Sequence, residues 1–203
     1  VRERYYITVF GGQSVPYRTQ QTHTWATFAR TVIGPDGERP VEVQTISWMP
    51  ATMRIRPLAL RPEPGVNLTL SQTYAWMASV GGRVSVWGPY ELTADQYMRY
   101  MERKEELDLG EIAYRALGGL RKDAPVSNCG QSFSRASRRL AREYEEPTPA
   151  PGINGTSVLV KRYIDSGVFP PTQHLWLLPL IGADQYPTTH REPGERVPKR
   201  RFR

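Results

Sequence analysis

The run YYITVF at residues 5–10 is rich in β-branched and aromatic side chains and stops at Gly11-Gly12, which predicts a first strand. Residues 23–33 predict a second strand. Gly34-Pro-Asp-Gly37 has the composition of a turn, and residues 41–49 return as the hairpin partner. Residues 53–60 read as a further strand with Arg54 and Arg56 on one face, and RPEPG at 61–65 reads as a breaker. Thr69-Leu-Ser-Gln72 has the spacing of a capping box. Leu70, Tyr74 and Met77 then recur at i, i+4 and i+7, predicting a short amphipathic helix before Gly81-Gly82. A short strand over 83–87 is expected to end at Gly88-Pro89. Thr93-Ala-Asp-Gln96 repeats the capping box and opens a helix to about residue 107, with Tyr97, Tyr100 and Met101 on one side. Further helix is expected over 110–120 and, strongly, over 128–144. Residues 147–155 read as a loop, residues 157–164 as a short helix or strand followed by HLWLLPLIG, and the chain past Tyr186 as a tail. Strands come first and helices later, so the expected class is α+β, an antiparallel sheet packed on helices and not a doubly wound sheet. Residues 1–186 would form a single domain and 187–203 a basic C-terminal tail.

Composition agrees with one globular unit: 203 residues, 39% apolar, with five Trp and eleven Tyr to bury. The net charge of +7 is uneven, because residues 190–203 hold six Lys/Arg against two Glu. The body is therefore only mildly basic, and nucleic acid is disfavoured as a partner. The tail has only Val197 and Phe202 as large apolar side chains, so its removal is expected to leave the melting temperature nearly unchanged. The longest apolar stretch, 175–183, has nine residues around Pro179, far short of the roughly 20 a spanning helix needs. VRERYYITVF reads as a charged strand and not as a signal peptide, while the sequons at Asn67 and Asn154 point to export.

One cysteine excludes an internal disulfide and directs attention to its surroundings, Ser127-Asn128-Cys129-Gly130-Gln131-Ser132-Phe133. With Asn128 as N-cap and Gln131 at N3, Cys129 is the first helical residue, where the helix end is expected to lower the thiol pKa. Cys129, Phe133, Ala136, Leu140 and Tyr144 form one stripe, so the sulfur faces the body of the protein, while Arg135, Arg138, Arg139 and Arg142 fall off it. Of three histidines, His190 lies in the tail and His174 stands beside an apolar run. His23 opens a central strand and is the better partner. Neither Cys nor His clusters at ligand spacing, so no metal is expected, and no cofactor is implied.

A helix that begins at Cys and packs on a sheet carrying His, with the His earlier in the chain, resembles the circularly permuted branch of the NlpC-type papain-like superfamily. That branch includes the lecithin-retinol acyltransferase-like proteins. The resemblance covers roughly residues 4–145 and rests on His23, Gln44 in VEVQTISW, and Asn128-Cys129. It implies a permuted papain-like fold and a thiol hydrolase or acyltransferase acting on an amide or ester. Cys129 would be the nucleophile, His23 the base, and Gln44 (or its neighbours Glu42 and Thr45) the residue that holds the imidazole. Peptide, cell-wall peptide and lipid ester are the substrate classes it admits. The alternative is a catalytically inactive domain of the same fold serving a larger assembly, with the Arg-rich tail meeting an acidic protein or anionic lipid.

Overall fold

The computed structural model describes residues 2–17, 22–56, 61–116, 126–134 and 152–196. The fold is α+β. A five-stranded sheet, in the order β3-β2-β1-β6-β9, is built from β1 (Arg2–Gln13), β2 (Thr22–Gly34), β3 (Gly37–Ile46), β6 (Arg83–Leu92) and β9 (Thr188–His190). All its pairings are antiparallel except β6 with β9. A smaller sheet joins β4 (Trp48–Pro50), β5 (Glu63–Asn67), β7 (Ala113–Tyr114) and β8 (Val126–Ser127).

Helices cover both faces of the large sheet. On one face α2 (Ala94–Asp108) and α4 (Gly152–Asp165) enclose Phe28, Trp87, Tyr100, Tyr163 and Phe169. On the other, α1 (Leu70–Ser79) and the short α5 (Leu177–Leu180) enclose Phe10, Trp25, Tyr74, Met77 and Leu177. Because alternate residues of a strand point to opposite faces, β2 serves both cores at once: Ala26 and Phe28 face the first, Trp25 and Ala29 the second. α3 (Cys129–Ser134) packs against β2. Both capping boxes form as the spacing predicts, Thr69 with Gln72 and Thr93 with Gln96.

Several elements differ from the sequence reading. RPEPG is not a breaker: Glu63–Asn67 is a strand, and Gly65 lets the Trp48 indole lie where a Cβ would come within 1.9 Å of it. Residues 53–56, the described part of the strand expected over 53–60, are not strand; the chain turns at 51–52, with Met53 N–H donating to the Pro50 carbonyl. Strand β6 runs on through Gly88-Pro89, and the segment from Gly110 holds strand β7 instead of a helix. Residues 152–165 are one helix. The expected tail boundary at 187 is also corrected, since Thr188–His190 extends the large sheet. The Arg191 N–H then donates to the Val86 carbonyl, Trp87 Nε1 to the Glu192 carbonyl, and the Gly194 N–H to the Ser157 carbonyl. Residues 57–60 and 135–144, with most of the stripe expected on the Cys helix, lie outside the described residues, as do the side chains of Gln131 and Phe133.

Candidate functional site

The hairpin of β2 and β3 closes at Gly34–Gly37 and pairs as far as Ala26 with Ile46. There β3 leaves the sheet, so among the described residues no strand lies beside residues 22–25 of β2 on that side. α3 fills the vacancy. The Thr24 N–H donates to Cys129 Sγ at 3.5 Å, and the thiol reaches the Thr22 carbonyl at 4.0 Å. The sulfur thus touches main chain on either side of His23. The Ser132 N–H donates to the Asn128 carbonyl at 3.0 Å, and Arg103 of α2 donates from Nε to the Ser132 carbonyl at 3.0 Å, tying this turn to α2.

His23 projects toward the core under α1. Its ring stacks on Trp25, with centroids 5.2 Å apart, and meets Trp76 edge-on at 5.7 Å. Nε2 lies 2.8 Å from Ser47 Oγ, and Thr73 Oγ1 lies 2.8 Å from both Ser47 Oγ and the Thr69 carbonyl. All three polar residues are buried, with His23 at 1% exposure. Nδ1 has no hydrogen-bond partner among the described residues.

The electrostatics follow from this enclosure. Burial pulls the His23 pKa down to about 3, so the imidazole is neutral. Burial likewise pushes the Cys129 thiol upward, and the N–H groups of Thr24, Gly130 and Cys129 itself only partly oppose it. The lowered thiol pKa expected from a helix start is therefore corrected, because desolvation outweighs the amide dipoles. At rest the two groups are a thiol and a neutral imidazole.

Gln44 does not hold His23. It pairs with Phe28 and so lies on the opposite face of the sheet, five residues along β2, and its amide donates to Glu42 on its own strand at 3.4 Å. The cause is a bulge at Val41. The register advances by one residue between Thr31–Pro40 and Arg30–Glu42, which moves every later side chain of β3 to the other face. With the bulge counted, it is odd-numbered residues beyond 41 that share a face with His23. Ser47 is the polar one within reach, and this count from the turn is the signal that would have found it. Thr73 lies on the buried face of α1 with Leu70, Tyr74 and Met77, a polar residue within the apolar stripe.

Asn67 is a structural residue despite its sequon. Its side-chain amide donates to the Thr45 carbonyl and to Asp108, and its Oδ1 accepts from the Ser47 N–H. The side chain of Asn154 lies outside the described residues. Among the described residues no group of three His, Cys, Asp or Glu could hold a metal ion. No protein-family model, curated protein or solved structure matches this chain.

Proposed function

We propose that the chain is a permuted papain-like thiol hydrolase or acyltransferase whose reaction runs through Cys129 and His23. The observation that carries this is the buried imidazole with one nitrogen held and the other unpartnered, while the cysteine sulfur rests on the main chain flanking the same residue. A buried polar atom left without a partner costs on the order of 1–3 kcal/mol, and a proton to be taken from a thiol is a reason to keep one. In this reading the Thr73 hydroxyl donates to the Thr69 carbonyl, and His23 Nε2–H donates to Ser47 Oγ. The Nδ1 lone pair is then free to act as base. Ser47 is the positioning residue, in the place the resemblance assigned to Gln44.

Both groups start neutral, so proton transfer accompanies attack. The S–H proton passes to Nδ1 as Sγ adds to the substrate carbonyl. The imidazolium then protonates the leaving amine or alcohol as the C–N or C–O bond breaks, leaving a thioester. Water or an acceptor nucleophile, deprotonated by the same nitrogen, releases the acyl group and restores the thiol.

The experiment is acyl transfer from an activated aryl ester, followed by intact mass. We expect one acyl group on the folded protein, none on Cys129→Ala, and a rate at least about tenfold lower for His23→Ala or Ser47→Ala. Acylation that ignores His23→Ala would overturn the reading. The second reading, a catalytically idle interaction domain, is favoured by the upward shift of the thiol and the downward shift of the imidazole. It requires that no acylation occur until the protein unfolds.

A further inference from the structure

Among the described residues β3 is the edge strand of the large sheet, and its outer side carries main chain with no strand beside it. Asn67 donates to the Thr45 carbonyl, which shows that residue 45 directs its N–H and C=O away from β2. By strand alternation Val43 does the same, while Gln44 and Glu42 turn inward to β2. Asn67 closes one end of this edge and the bulge at Val41 closes the other. Three groups stay open between them: the N–H and C=O of Val43 and the N–H of Thr45. None has a hydrogen-bond partner among the described residues.

A hollow lies against each face of this short edge. One, of about 410 Å³, is lined by Val43, Thr45, Leu70, Ile181 and Gln185. The other, of about 340 Å³, lies on the α2 side against Glu42, Met101, Glu105 and Leu109. They meet at Gln44, Lys104 and Asp108, which line both. A strand added at the edge sends alternate side chains to opposite faces, one set into each hollow. Val43 itself is 39% exposed, an apolar residue in the middle of an unprotected edge.

The charge selects the occupant. On a chain of net +7, the α2-side hollow presents three carboxylates, Glu42, Glu105 and Asp108, against one ammonium, Lys104. Lys104 is already paired with Asp108 and Glu42 with Arg30, while Glu105 has no ion pair among the described residues. The C-terminal end of the α2 dipole adds further negative potential. A second copy joined through β3 would bring these acids against their own counterparts. We propose that the β3 edge binds an extended basic peptide segment as an added strand, its main chain on Val43 and Thr45 and its cationic side chains toward Glu105 and Asp108. The proposal stands whether or not Cys129 is reactive.

The test is fluorescence anisotropy with the full chain and three labelled probes. These are acetyl-Lys-Val-Arg-Val-Lys-Val-Arg-amide, the acidic analogue with Glu and Asp in place of Lys and Arg, and the basic peptide N-methylated at its three central residues. The basic probe is expected to bind at least about tenfold tighter than either of the others, and added salt should weaken it. Glu105→Lys, an exposed change, should lower its affinity about fivefold. Equal binding of the N-methylated probe would reduce the contact to charge alone and overturn strand addition. Equal binding of the acidic probe would overturn the charge argument. No saturation by about 1 mM, or a concentration-dependent dimer that excludes the peptide, would overturn the proposal outright.

Discussion

A histidine sealed between two tryptophans makes His23 a titration sensor for folding itself. Its pKa falls to about 3 in the folded protein, against roughly 6.5 for a free imidazole. Between those values the unfolded chain binds a proton that the folded chain refuses, so stability rises with pH and is lost as pH falls below about 6.5. From pH 7.5 to 5 the loss attributable to this residue is on the order of 2 kcal/mol. Urea denaturation at both pH values checks this. His23→Gln should be less stable at pH 7.5 yet show a smaller difference between the two, and an unchanged difference would mean that the ring is not sealed. Cys129 gives a matching expectation: iodoacetamide should alkylate the native thiol more slowly than a free cysteine throughout the ordinary thiol range, since burial raises its pKa. Fast reaction at pH 6 would show that the sulfur is less enclosed than its contacts with Thr22 and Thr24 imply. The residue types of the candidate site were legible in the sequence, because a lone cysteine and a strand-opening histidine announce themselves. Their environment was not legible, because desolvation depends on what Trp76 and Ser47 do from elsewhere in the chain.

At the scale of elements, local signals read true and long-range ones did not. Thr69 and Thr93 sit three residues before their glutamines, and the reciprocal bonds that define a cap need nothing outside that span. Gly88-Pro89 misled for the opposite reason. Between Ile7–Tyr90 and Val9–Trp87 the β1–β6 register shifts by one, so Gly88 and Pro89 together oppose Thr8. The pair forms a bulge, with Gly88 at φ +84° and no amide demanded of the proline, and the strand continues. A Cβ on Gly88 would lie 2.9 Å from the Tyr90 nitrogen, in a backbone region that L residues rarely adopt. Gly88→Ala should therefore cost about 1–3 kcal/mol, read from the shift in urea midpoint. A cost under about 0.5 kcal/mol would mean that the bulge is dispensable to the register.

The whole molecule closes on a segment that its sequence marks as a tail. PTTHREPGE is polar and turn-like, with nothing apolar to signal docking, yet its main chain completes the sheet edge that β6 would otherwise expose. The anchoring is done by the receiving side: Val86 offers its carbonyl to Arg191, Trp87 donates its indole N–H to Glu192, and Ser157 on α4 accepts from Gly194. Arg191 and Glu195 then pair across one turn at 2.6 Å. Binary patterning cannot see such a strand, since its hydrogen bonds are main-chain and its partners lie about a hundred residues earlier. Truncation after Tyr186 removes every one of these bonds and uncovers Trp87, which is wholly buried. Each lost hydrogen bond contributes about 1 kcal/mol, and water reaching the indole adds to that. The melting temperature should fall by more than about 5 °C, whereas truncation after Arg196, which keeps all four contacts, is the control that isolates β9. Equal melting for the two truncated chains and the parent would mean that the strand is an ornament on the sheet. A loss confined to the shorter chain places the end of the domain near residue 195.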